Sequence, residues 1–166
     1  GLTTIYVTHD QEEALAISDK IIVMNNAVIA QEGSPKDLYS HPKTRFVANF
    51  VGDANIIKAT INNKKDNHYN ISFGEINLTL TSDFSLKNYV SVAVRPEAIT
   101  IESSKVSNSI SATIVKASYV GNHYQYTVSS SLGELYLVSE DIKNYFKLNE
   151  IVYLTFKENG LNILSG

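Results

Sequence analysis

The chain of 166 residues contains no cysteine. Disulfides and thiolate zinc sites are therefore excluded, which fits a reducing compartment. No apolar run approaches the ~20 residues that a helix needs to cross a bilayer. The first residues carry no signal-peptide pattern. Membrane association is accordingly expected to go through a partner. There is also no cluster of Lys or Arg able to neutralise a run of phosphates, which argues against nucleic acid. Counted by segment, residues 1–53 hold seven acidic and four basic side chains (7 − 4, hence −3), and residues 54–166 hold ten of each, hence zero. The Lys64-Lys65 pair reads as a solvated turn.

What is present changes in texture near Gly52. Before it, helical spacing dominates; after it, alternation and turn residues dominate. A boundary is expected there, with residues 1–53 as one domain and 54–166 as another. Residues 4–7, Thr-Ile-Tyr-Val, form an apolar, β-branched run suited to a buried strand. Asp10 can cap the helix that follows, with Glu13 as its capping-box partner. Residues 20–24 and 28–31 read as a hairpin turning at Asn25-Asn26. Ser34-Pro35 starts a second helix, which stops by His41-Pro42. A third is expected over residues 44–51, with Phe46, Val47 and Phe50 as its apolar face and Gly52 as its left-handed exit.

Beyond residue 55, strands are expected at 56–61, 69–73, 76–80, 90–94, 98–101, 110–119, 124–129, 133–138, 151–156 and 161–164. Gly74-Glu75, Gly121-Asn122 and Asn159-Gly160 mark turns between them. Many short strands with frequent turns indicate a small barrel or sandwich.

Asp10, Glu12, Glu13 and Asp19 could be mistaken for a metal cluster, but capping and a solvated face explain them better. His41, His68 and His123 show no ligand spacing, so no metal site is expected. Tyr119, Tyr124, Tyr126, Tyr136 and Tyr153 lie in strand patterns and read as core and interface aromatics, because a basic groove to accompany a stacking platform is missing. Arg95, before Pro96 and Glu97, reads as a structural group at a strand end.

Taken in order, YVTHDQEEALAISDKIIVM resembles the H-loop and its flanks in ATP-binding-cassette (ABC) ATPases of solute importers. QEGSPKDLYSHPKTRFVANFVGDANII is similar to the linker joining that ATPase domain to a C-terminal regulatory domain. VAVRPEAITI and IVKASYVGNHYQYTVSSSLGELYLV resemble that regulatory domain, the transport-associated OB-type (TOBE) barrel. Ala27 departs from the family, which usually has glycine in the hairpin turn. The resemblance implies a mainly β fold: an OB-type barrel preceded by a small α/β piece, the C-terminal remnant of an ABC ATPase domain.

It further implies that His9 is the H-loop histidine, contacting the ATP γ-phosphate and helping to position the attacking water. A strand end beside a helix start can place a side chain against a phosphate, and imidazole can donate a hydrogen bond in either charge state. Phosphoryl transfer needs positioning and charge stabilisation more than covalent help. The phosphate loop, the Ser-Gly-Gly-Gln signature and the aspartate-glutamate pair are absent from this sequence. ATP and Mg2+ are thus expected as cofactors of a longer parent ATPase, and this chain alone is expected neither to bind nor to hydrolyse ATP. With its sheet neighbours missing, residues 1–30 are expected to be rearranged, swapped or poorly ordered.

The implied partners are a second copy (a homodimer through the barrel), transmembrane permease subunits and a solute-binding protein. The implied location is the cytoplasm, on the inner face of the membrane. Among the solutes of this subgroup (maltodextrin, spermidine/putrescine, ferric iron, sulfate, phosphonate), the linker favours spermidine/putrescine. A different class of function is a free-standing module binding molybdate, tungstate or a similar oxyanion. An OB-type nucleic-acid binder ranks last on charge.

Overall fold

The computed structural model describes residues 2–82, 86 and 88–165. Two compact units are present, 1–53 and 54–166.

In the first unit, α1 (Gln11–Ile17) is followed by the hairpin β1 (Ile21–Asn25) and β2 (Val28–Gly33), then α2 (Pro35–Ser40) and α3 (Arg45–Phe50). Each helix starts on a side-chain cap. Asp10 accepts the Glu13 N–H, Ser34 the Asp37 N–H and Thr44 the Val47 N–H. These caps satisfy donors that have no partner inside a helix. The core is small: Val23, Leu38, Val47 and Val51.

Three features differ from the sequence-based expectation. Residues 4–7 form no strand, and Ile5 and Val7 are both 91% exposed. A strand needs a ladder partner, and no described strand pairs with this one. Residues 11–33, by contrast, do assemble into helix and hairpin. On α3 the buried residues are Val47 and Ala48, with Val51 just beyond. Phe46 and Phe50 face outward and stack on each other at 5.5 Å. An i, i+4 pair shares one helical face, and here that face is the one turned from the core. Finally, the hairpin turns on Asn26-Ala27, because Asn25 pairs with Val28. Both turn residues have positive φ, 49° and 63°. This two-residue left-handed turn suits the twist of a hairpin but strains an alanine.

The second unit is built from β3 (Asn55–Lys65), β4 (His68–Phe73), β5 (Ile76–Thr81), β6 (Tyr89–Val94), a single 3-10 turn (Pro96–Ala98), β7 (Ile99–Glu102), β8 (Ile110–Tyr119), β9 (Tyr124–Ser130), β10 (Gly133–Ser139), β11 (Ile151–Phe156) and β12 (Leu161–Ile163). They form two curled five-stranded sheets, ordered β12-β6-β3-β4-β5 and β10-β9-β8-β11-β7, with every described pairing antiparallel. The strands lie within a residue or two of the expected ones, except that β3 runs on through polar Asn62 to Lys65 as an arm paired with β4, which pairs on its other side with β5. On that arm the Lys64 ammonium sits over the Tyr69 ring.

Alternate residues of both sheets meet in one core. Ile57, Ala59, Ile71, Val92 and Val94 come from one sheet, and Ile114, Val128, Leu137, Val152 and Leu154 from the other. Phe73 and Phe156 meet edge to face across it at 5.1 Å. This is the expected mainly β, OB-type architecture.

Side-chain amides tie the sheets together. The Asn55 amide donates to the Tyr136 carbonyl (2.7 Å) and the Val94 carbonyl (3.3 Å), while its oxygen accepts the Tyr136 N–H (2.8 Å). Asn55 belongs to β3, and Tyr136 to β10 at the edge of the opposite sheet. The amide thus acts as a one-residue strand partner for an edge that would otherwise leave backbone groups unpaired. Asn108 does the same for the other sheet. Its oxygen accepts the Asn77 N–H (2.7 Å) and its nitrogen donates to the Asn77 carbonyl (3.0 Å), on edge strand β5.

Two outcomes follow. Ala27→Gly relieves the left-handed turn and gains roughly 0.5–1 kcal/mol for the hairpin; slower amide exchange at Val28 is the measurement. Asn55→Asp removes both donated bonds and sets a carboxylate against two carbonyls, costing roughly 2–4 kcal/mol at neutral pH. Its folded-state pKa is then raised, so stability is retained below the unfolded-state value and lost as pH rises through the folded one. Thermal melts across the acid range would reveal this as recovery at low pH.

Candidate functional site

His9 stands exposed at a bend between an irregular segment and α1. Its neighbours fix that bend. The Asp10 N–H donates to Thr8 Oγ1 (2.9 Å), Thr8 Oγ1 donates to Glu13 Oε2 (3.1 Å), and the Tyr6 hydroxyl donates to the same oxygen (3.0 Å). The expected capping box is therefore completed through Thr8: Glu13 does not reach the Asp10 N–H directly. The hydrogen bond to Glu13, and then the charge of that carboxylate, hold the Tyr6 hydroxyl above its ordinary pKa.

What this arrangement offers chemically is one exposed imidazole in an acidic neighbourhood. Asp10, Glu12, Glu13 and Asp19 surround it in sequence, and residues 1–19 contain no Lys or Arg. An anionic triphosphate at His9 would meet net repulsion unless cations and backbone donors came from elsewhere. Asp10 and Glu13 are engaged in capping and its support. Among the described residues no group of three or more His, Asp or Glu is placed to hold a metal ion. His41 offers its carbonyl to Gln31 (3.0 Å), His68 lies on β4, and His123 contacts Asn122 and Gln125.

In the second unit the tyrosines form a row from core to surface. Tyr126 is fully buried and lies 5.7 Å from Tyr124, which in turn lies 5.0 Å from Tyr119 and 5.3 Å from Tyr145. Tyr119 and Tyr145 are exposed, while Tyr136 and Tyr153 are half-buried. Burial raises the Tyr126 hydroxyl pKa, partly offset by the Phe146 N–H that donates to it (3.3 Å). That bond pins the segment 140–149 to the barrel. Asp141 orders the same segment internally by accepting from the Asn144 amide (2.7 Å) and the Lys143 N–H (3.0 Å). Those bonds, the Asn144 amide first, hold its carboxyl below the usual range.

Arg95 is only 1% exposed, among the largest buried side chains. Its N–H donates to the Gly160 carbonyl (2.9 Å), and its own carbonyl accepts the Ala98 N–H. Among the described residues no buried side-chain nitrogen or oxygen lacks a hydrogen-bond partner. This is a structural setting at the end of β6.

Sequence reasoning missed the amides. Gln31, 8% exposed, donates to the His41 carbonyl and accepts the Lys43 N–H (2.8 Å), spanning Pro42 between them. Proline has no N–H to give, so a chain passing through it needs an outside partner. Nothing in the local pattern separates Gln31, Asn55 or Asn108 from ordinary turn and surface amides.

Comparison with known proteins bears on this geometry. Residues 92–161 match the TOBE domain model. The chain is also similar over its whole length to proteins named as ATP-binding proteins of Fe(3+) import. It is 36% identical over 166 residues to the Fe(3+) ions import ATP-binding protein FbpC 1 of Rhizobium meliloti, covering 100% of this chain and 47% of that protein. Against FbpC of Brucella abortus (strain 2308) it is 34% identical over 165 residues, covering 99% and 46%. Against FbpC of Fusobacterium nucleatum it is 34% identical over 170 residues, covering 99% and 44%. The chain thus spans about half the length of the curated relatives it matches. Among solved structures, the cytoplasmic molybdate-binding protein ModG, with molybdate bound, shares the fold at a TM-score of 0.55 and 12% identity, covering 68% of this chain and 96% of that one.

The lowered carboxyl of Asp141 has a testable sign. A depressed pKa contributes order that is present above the unfolded-state value and lost as pH falls through the folded one. Protection of the Lys143 and Asn144 amides should therefore persist at neutral pH and vanish in acid before the barrel unfolds. Asp141→Asn should flatten that profile.

Proposed function

We propose that this chain is the C-terminal part of the ATP-binding subunit of an ABC importer, and that the solute is ferric iron. The observation that carries the reading is the match, over the whole of this chain and about half of each relative, to proteins named for Fe(3+) import. Those names favour iron over the spermidine/putrescine expected from the linker. In this reading His9 contacts the ATP γ-phosphate and orients the attacking water. Ligands for Mg2+, the phosphate cradle and the remaining cationic side chains would come from the longer polypeptide, as the acidic surroundings of His9 require. Residues 54–166 form the regulatory barrel through which two copies associate. Permease subunits and a solute-binding protein complete the transporter, and the ATPase lies on the inner face of the membrane. The chain alone neither binds nor hydrolyses ATP.

The ModG likeness speaks for the barrel's architecture and carries no ligand with it. Equilibrium dialysis with molybdate, tungstate and sulfate tests the oxyanion alternative, and no retention is expected.

The decisive experiment uses the full-length polypeptide that contains this segment. His9→Ala should lower ATP turnover roughly 100- to 1,000-fold while nucleotide affinity changes little, since most phosphate contacts lie elsewhere. Turnover within a few-fold of the parent would remove His9 from the reaction. The isolated chain should give no heat with Mg-ATP in calorimetry.

A further inference from the structure

We infer that Asn159 is a site of spontaneous covalent modification, in which its side-chain amide cyclises onto Gly160 and opens to aspartate or isoaspartate. Asn159 is exposed in the turn between β11 and β12, closed by the Leu161 N–H donating to the Glu158 carbonyl (3.2 Å). Gly160 follows it with no side chain to shield its nitrogen. Among the described residues no acceptor takes the Gly160 N–H. A nucleophilic nitrogen, unshielded and unengaged, therefore lies next in the chain to an exposed carboxamide.

The chemistry needs only water. The Gly160 nitrogen loses its proton to solvent and attacks Asn159 Cγ. The new C–N bond closes a succinimide as the Cγ–NH2 bond breaks, and the amine leaves as ammonia with a proton from solvent. Water then adds to one of the two ring carbonyls. Opening at one gives aspartate; opening at the other gives isoaspartate, which routes the backbone through an extra methylene.

The position makes that methylene consequential. Gly160 has φ +104°, and a Cβ on it would come within 2.8 Å of Ala98 Cβ, so the chain is packed there without slack. The Gly160 carbonyl accepts the N–H of buried Arg95. The next residue, Leu161, pairs with Val94 in the β12–β6 ladder. Lengthening the backbone at residue 159 displaces that carbonyl and loosens the attachment of β12.

The test is incubation of the intact chain in warm neutral and mildly alkaline buffer, followed by peptide mapping and enzymatic isoaspartate labelling. Asn159 should convert roughly tenfold faster than exposed Asn122 and Asn144, which precede bulky residues, and its rate should rise with pH. The modified fraction should show faster amide exchange at Arg95. Asn159→Ser, which lacks the carboxamide, should block labelling at this position and keep Arg95 protected. Conversion of Asn159 no faster than Asn122 would overturn the site. Modification with unchanged Arg95 exchange would overturn its structural consequence.

Discussion

Backbone groups left over at a sheet edge or a helix end still need partners, and at three places in this chain primary amides supply them. An amide carries a donor and an acceptor at the spacing of a peptide group. Gln31 bridges His41 and Lys43 around a proline, Asn55 joins β3 to the edge strand β10, and Asn108 covers the edge strand β5. Apolar burial supplies most of the stabilisation, at roughly 1.5–3 kcal/mol for each large core side chain. It is non-directional, however, and does not fix how one curled sheet meets the other. Each amide adds only about 1 kcal/mol per bond, but it does so at one geometry.

The same accounting of partners explains the setting of His9. Tyr6, Thr8, Asp10 and Glu13 satisfy one another and hold the bend, so the histidine side chain is presented at the surface. The network that gives this order is also acidic, which is unfavourable for an isolated phosphate. Local order and local electrostatics thus point in opposite directions. On the proposed reading they are reconciled by cations from the rest of a larger ATPase.

Much of this was legible from residues alone. Alternation and Gly or Asn turns located the strands from β4 to β12 closely, because core and solvent faces impose a period of two on an antiparallel sheet. Asp10 and Ser34 located the starts of α1 and α2 as caps, whereas the Thr44 cap of α3 was not read from the residues. Other features were not legible. Residues 4–7 have the composition of a strand, but composition cannot supply a ladder partner. Phe46 and Phe50 have the spacing of a core face, yet the smaller Val47, Ala48 and Val51 take the core. Ala27 sits in a conformation that favours glycine, where sequence preference placed the turn one residue earlier. The amide bridges escaped notice because their partners lie 10 to 81 residues away.

Hydrogen exchange at the Tyr136 amide tests the central claim most directly. If Asn55 serves as the strand partner of β10, that amide exchanges only with global unfolding of the barrel, at the same rate as amides inside β8. Exchange at the rate of an open sheet edge, with the β8 amides still protected, would contradict it.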